Sequence, residues 1–210
     1  YLPGEEGNVG GDWYDVFRLP NDRLGMVMGD VAGRGLAAAM VMGRLRSALR
    51  AYAIETPDPA DALERLDRKA QHFEAGQMTT VLYGVLELGT EQMELSSAGH
   101  LMPILVAPGR EAASVEARVD PPLGVMRQVK RHRTAVEVPA GAALCLFTDG
   151  LVERRQVPLD ENLDRLRKVV TPAHPEVVCR SALAALLDDQ TNPDDVAVLV
   201  IRRIAQPASD

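Results

Sequence analysis

Apolar residues recur at three-to-four spacing at Val41, Leu45, Ala48, Leu49 and Tyr52, and again at Leu63, Leu66, Ala70 and Phe73. From Met78 onward the apolar pattern changes to the period of strands. This change of period is what most restricts the fold. The spacing predicts a helix over Leu36–Tyr52 and a second one opening at Asp58-Pro59, with Asp as cap and Pro at the first helical position. Ahead of them, Val16–Leu19 and Leu24–Gly29 read as a hairpin around the polar turn Pro20-Asn21-Asp22-Arg23. After them, strands are expected at Thr80–Leu88, Met93–Ala98, Leu101–Val106, Arg133–Val138 and Ala143–Phe147. Helices follow at Asn162–Val170 and Pro175–Leu187, and Val196–Ile201 closes the chain as a strand. Helices grouped between runs of sequential strands point to an α+β layered domain rather than alternating βαβ units.

Composition narrows the function classes. A net charge of −7 argues against nucleic-acid backbone binding, which needs clustered Lys and Arg. The basic stretch Arg127–Arg133 is short, lacks interleaved aromatics, and reads as a solvated strand entry. With only 4% aromatic residues, the core must come mainly from Val, Leu, Ile, Ala and Met, so Met26, Met28, Met40 and Met42 read as core filling. Cys145 and Cys179 are too few and too far apart for a metal-ligand spacing or a disulfide framework, and read as small buried hydrophobes in a reducing, cytoplasmic setting. No apolar run is long enough to span a membrane. The chain opens on Tyr1 rather than Met, so residues 1–204 are expected to form one domain excised from a longer protein, with 205–210 as a tail.

Aspartates cluster at the predicted strand ends and glycine-rich turns. They lie in Gly10-Gly11-Asp12-Trp13-Tyr14-Asp15, Gly29-Asp30-Val31-Ala32-Gly33-Arg34-Gly35, Phe147-Thr148-Asp149-Gly150 and Asn192-Pro193-Asp194-Asp195. Hard cations such as Mg²⁺ and Mn²⁺ take carboxylates, backbone carbonyls and waters. Carboxylates projected from neighbouring strand ends can converge on one point, with glycines allowing close backbone approach. Taken singly, each motif reads as a turn or a helix cap ahead of a metal ligand. The set, with no competing Ser-His or Cys-His arrangement, favours a metal site.

The strings GGDWYDVF, GDVAGRGLAAAMVMGRLR, SSAGHLMPIL, DPPLGV, LFTDGLVE and PDDVAVLVI, in this order, resemble the PPM (PP2C-like) phosphatases. The match is to the bacterial branch of the stage II sporulation phosphatase and the sigma-B regulator phosphatases, and runs from Gly10 to Ile201. The resemblance implies a four-layer αββα sandwich, two packed antiparallel sheets flanked by helices, with two Mn²⁺ or Mg²⁺ ions at one end. It implies that Asp30 bridges both ions with the Val31 carbonyl as a further ligand, that Asp12 binds one ion, and that Asp149 and Asp194 hold the other. Asp15, Asp195 and His100 would support these ligands from behind. The implied activity is hydrolysis of phosphoserine or phosphothreonine by a metal-activated water. By the same resemblance, the substrate is a phosphorylated anti-anti-sigma (STAS-domain) protein in a partner-switching stress pathway, with an upstream sensor or regulatory domain.

Arg34 stands where many relatives carry His, and is a candidate bidentate contact for a substrate phosphate or a solvated charge. His100 reads either as a proton donor to the leaving group or, preferred, as a turn histidine that orients a loop. His72, His132 and His174 read as surface residues, and Trp13 and Tyr14 as packing beneath the first acidic loop. A pseudophosphatase binding module and a hydrolase of small phosphoesters are the rival readings.

Overall fold

The computed structural model describes residues 1–4, 10–154, 157–187 and 194–204. Asn192 and Pro193 of the last acidic motif, and the 205–210 tail, lie outside the described residues.

The opening hairpin is longer than the sequence pattern implies. Strand β1 (Trp13–Leu19) pairs with β2 (Arg23–Val31) from Leu19↔Arg23 to Trp13↔Gly29. Asn21 and Asp22 take positive φ values of 61° and 49° in the turn, a conformation that Asn and Asp tolerate. Two helices follow, α1 (Gly35–Glu55) and α2 (Pro59–Phe73). As expected, the Asp58 side chain caps α2 by accepting from Ala60 N at 2.8 Å. Then come β3 (Thr79–Glu87), β4 (Gln92–Ala98), β5 (Ile104–Val106), β6 (Ala113–Ser114), β7 (Val119–Asp120), β8 (Thr134–Glu137) and β9 (Ala143–Phe147). A single turn α3 (Asp149–Val152), helices α4 (Leu159–Val169) and α5 (Pro175–Leu186), and β10 (Val198–Arg202) complete the chain.

The strands form two sheets, one ordered β1-β2-β3-β4-β7 with β8 also on β4, the other β10-β9-β5-β6. Pairing is antiparallel except for β4 with β7, which run parallel through Ser97↔Val119. The alternation of side chains along each strand sorts them into three apolar layers. Val27, Val31, Val81, Tyr83 and Val85 face Leu45, Leu49, Leu63 and Leu66 of α1 and α2. Cys145, Phe147 and Val200 face Val178, Ala182 and Leu166 of α5 and α4. Between the sheets, Met26, Met28, Leu82, Met93 and Leu95 meet Leu144, Leu146 and Ala197. Three cores separate four layers, so the arrangement is the αββα sandwich.

Several expected placements are corrected. Phe73 continues the apolar stripe of α2 on paper but is 69% exposed at the last residue of the helix. Met40 is exposed on α1 while Met26 and Met28 are core residues. Trp13 packs under Gly29, where a Cβ would come within 2.3 Å of the indole, but Tyr14 points to the opposite face of β1 and is largely exposed. Arg131 is no solvated entry residue. Its guanidinium is buried, donating to Asp67 Oδ2 at 2.7 Å and to the Pro121 carbonyl at 3.0 Å, so it ties α2 to the loop before β8.

Charged contacts hold α1 and α2 to each other. Arg44 grips Glu74 with two bonds of 2.8 and 2.6 Å, and Lys69 Nζ adds a third at 2.7 Å. The hydrogen bond from Arg44, then the Lys69 contacts, outweigh burial and hold the Glu74 carboxyl down at about 2. Its folded value lies below its unfolded one, so it stabilises the fold above about pH 4.5 and that contribution disappears as pH falls toward 2. Urea denaturation of Glu74→Gln should show lower stability than wild type at pH 6, with the gap closing between pH 4.5 and 2.

Candidate metal centre

The period of two that builds the cores also aims the acidic residues. Leu24, Met26 and Met28 of β2 point into the layer between the sheets, so Asp30 continues the same row one step past its apolar end. On β9, Leu144 and Leu146 occupy the facing row, and Thr148 continues it just before Asp149. Asp12 directly precedes β1, on the face opposite to Trp13, and Asp194 lies two residues before the bridge formed by Val196. Carboxyl groups from both sheets therefore meet at one end of the sandwich.

Their mutual effects show how near they lie. Burial first, and then the charges of Asp30 and Asp149, push the Asp12 carboxyl well above its ordinary range, while a hydrogen bond from Thr148 opposes the shift. Asp30 is raised by burial, then by Asp149, with Asp194 and Asp195 adding to it. Asp149 is raised by burial and by Asp194. The Asp12 and Asp30 carboxyls hydrogen bond to each other. Thr148 Oγ1 donates to Asp12 Oδ2 at 2.6 Å and accepts from Ala197 N at 2.9 Å, which fixes Asp12 against the second sheet.

Among the described residues, no three His, Cys, Asp or Glu side chains stand at the mutual spacing of a finished metal cage. The donors nevertheless fit a hard divalent cation: they are all oxygen, they come from four chain segments, and they repel one another without a cation. Gly11 supports the same reading. A Cβ there would come within 2.3 Å of the Val31 carbonyl oxygen, so glycine keeps the approach to that oxygen clear. The loop that follows turns away through Gly33 and Gly35, at φ values of 116° and 72°.

The other expected residues divide. Asp195 lies beside the cluster but directs its side chain to the N-terminal segment, accepting from Gly4 N at 2.9 Å and hydrogen bonding with Tyr1. Asp15 is not part of the cluster. It faces the helix layer, where Arg50 (2.6 and 2.6 Å) and Arg46 (3.0 and 3.3 Å) clamp its carboxylate to α1. Burial would raise its pKa, but these two guanidinium partners prevail and lower it. Arg34 is exposed at the N-cap of α1, directly after the Asp30 loop. His100 is buried, with Nδ1 2.8 Å from Thr80 Oγ1 and Nε2 3.2 Å from the Phe147 carbonyl. Burial holds its pKa down at about 4, so the ring is neutral at pH 7 and both nitrogens are engaged. These two contacts tie the ring to both sheets. Sequence reasoning passed over Thr148 and Thr80. The signal for both was the strand parity, since each continues an inward-facing row.

A cleft of ≈ 350 Å³ opens beside Asp12, lined by Tyr1, Trp13, Tyr14, Met42 and Arg46. Replacing Asp30 by Asn removes one of the repelling carboxyls, so the metal-free protein should gain about 1 kcal/mol and melt ~2–4 °C higher in chelator. A differential scan in chelator measures this, and an unchanged or lower midpoint would contradict the repulsion.

Comparison with known proteins agrees with this fold. The profile of the stage II sporulation protein E (SpoIIE) family matches residues 20–204. The chain is 26% identical to phosphoserine phosphatase RsbU of Bacillus subtilis (strain 168) over 211 residues, covering 93% of this chain and 60% of RsbU. It superposes on the RsbU and RsbW domains of Rv1364c from Mycobacterium tuberculosis with a TM-score of 0.84 and 32% identity, covering 98% of this chain and 59% of that one. RsbX in complex with magnesium shares the fold, with a TM-score of 0.74 at 19% identity over 96% of this chain and 92% of that one. The chain spans 36%, 37% and 60% of the lengths of the curated relatives it matches. The family profile covers most of the chain, and the chain belongs to the SpoIIE family of PP2C-like (PPM) domains.

Proposed function

We propose that the chain is a metal-dependent protein serine/threonine phosphatase acting on a small phosphorylated anti-anti-sigma (STAS-domain) protein, in the cytoplasm, under control of an upstream sensor domain. The observation that carries this reading is the convergence of Asp12 and Asp30 from one sheet with Asp149 and Asp194 from the other. Asp12, Asp30, Asp149 and Asp194, with the Val31 carbonyl, would hold two divalent cations at this end of the sandwich, Asp30 being shared between them. Mn²⁺ or Mg²⁺ held there would supply an activated water and would neutralise phosphoryl charge.

The chain's own residues do the rest. Thr148 holds the Asp12 carboxylate in place through its hydroxyl. Arg34, at the rim where α1 begins, offers a planar fork to the phosphate of the substrate. The cleft beside Asp12 accepts the substrate backbone, with Tyr14 and Met42 as apolar walls. A thiol nucleophile plays no part. Cys145 is fully buried and burial pushes its thiol up to about 12.

Phosphate release from a phosphorylated STAS protein, with Mn²⁺ and after exhaustive chelation, tests the reading. Chelation should silence the protein and Mn²⁺ should restore it. Asp30→Asn and Asp149→Asn should each lower the rate at least ~100-fold while keeping a cooperative melt. Full activity after chelation, or near-normal turnover in either variant, would rule out the mechanism. Rapid release from generic phosphate esters with none from the phosphoprotein would reassign the substrate.

Arg34 has its own test. Arg34→Ala should reduce kcat/KM on the phosphoprotein about tenfold, since a hydrogen bond to a charged group is lost, and Arg34→Lys should recover only part of it. Unchanged kinetics in the alanine variant would make Arg34 a surface charge.

A further inference from the structure

The apolar layer between the sheets ends at Met28 and Leu82 on one side and at Leu146 on the other. Beyond it the facing positions are Asp30, Thr80 and Thr148, and apolar packing no longer sets the gap. The buried His100 side chain spans it, alongside the hydrogen bond from Thr148 to Asp12. His100 follows Gly99, whose φ of 71° and whose missing Cβ, which would lie 2.5 Å from Pro122, bring the loop in at this point. Ser97 fixes the His100 backbone twice: its Oγ donates to the His100 carbonyl at 3.0 Å and accepts from His100 N at 3.2 Å.

The polarity of the ring follows from its partners. The Phe147 carbonyl can only accept, so Nε2 carries the proton; Nδ1 is then bare and accepts the hydroxyl of Thr80. One end of this chain of bonds is Thr80, which lies directly across from Asp30 in the β2–β3 register. Side chains at such paired positions share a face with Cβ atoms about 5 Å apart. The other end is Phe147, next to Thr148, which bonds Asp12, and two residues before Asp149.

We propose that Thr80, His100 and the Phe147 carbonyl form a polar strut that sets the spacing of the two sheets under the cation site, which makes Thr80 and His100 positioning residues for the metal-binding carboxylates. The proposal rests on the metal-dependent reading above. Hydrophobic contacts fill space without direction, whereas two hydrogen bonds through a rigid ring fix both distance and angle. A strut of this kind is felt first by ligands drawn from both of the parts it joins, because a cation tolerates little error in donor placement.

Mn²⁺ titration by calorimetry of the whole chain tests this, together with thermal melts to confirm cooperative folding. Thr80→Val and His100→Leu should each weaken Mn²⁺ binding about tenfold, the scale seen when an outer-shell partner is lost. The double variant should lose little more than either single one, because both belong to one chain of bonds. His100→Gln, which retains a donor for the Phe147 carbonyl, should recover part of the affinity. Wild-type Mn²⁺ affinity in folded Thr80→Val and His100→Leu would overturn the strut while leaving the metal-dependent reading intact. Absence of Mn²⁺ binding by the unaltered chain would overturn both. Should His100→Leu fail to fold, Thr80→Val, which keeps shape and removes one hydroxyl, decides the matter alone.

Discussion

Carboxylates that repel one another are held at one end of this sandwich by apolar contact elsewhere. The layer in which Met26, Met28, Leu82 and Leu95 meet Leu144 and Leu146 joins the two sheets. Each strand that fills this layer runs on, in the same alternation, into a polar residue at the open end. The packing energy of the layer is spread over many weak contacts, while the electrostatic cost is concentrated in a few buried charges. Burial of apolar surface therefore supplies the force, and the pleat supplies the aim. Cations would relieve the remaining repulsion, so binding and fold stability are linked at this site.

Helices on the outer faces keep the sheets from shifting under that load. Asp15, clamped by Arg46 and Arg50, fastens α1 to the strand that Asp12 begins, and Arg50 also lies 5.4 Å from the Phe17 ring. Arg131 and Asp67 fasten α2 to the loop that crosses the edge of the same sheet, where Asp67 also accepts from Gly124 N. A buried pair of this type adds little net stability but is costly to break on one side only. Its effect is to fix which part of the loop meets the helix.

Much of this was readable from the chain alone. The change of apolar period at Met78 separates the helical pair from the strands, and Asp58-Pro59 marks the start of α2 as the structure has it. The acidic motifs fall beside strand ends and glycine-rich turns, which pointed to a metal site, while the particular set of Asp12, Asp30, Asp149 and Asp194 came from the family resemblance. Short elements were not legible. β6 and β7 are two residues each and α3 is a single turn, below the length at which any period can register. Roles that depend on the far side of the fold were lost too. Asp15 sits in the same motif as Asp12, but three residues along a strand puts it on the opposite face, among arginines of α1. Arg131 looked like part of a basic run, and only the position of Asp67 across the fold makes it internal.

The methionines between the sheets have a chemical consequence. Met26, Met28 and Met93 are almost wholly buried, and their unbranched thioethers fill the uneven space under the acidic end. Oxidation to the sulfoxide would add a polar oxygen among apolar side chains and would swell the gap between the sheets. Peroxide reaches these sulfurs only when the sheets part, so damage would track opening of the sandwich rather than surface exposure. On the metal-dependent reading, cation affinity would then fall through the greasy interior before any acidic side chain had been altered.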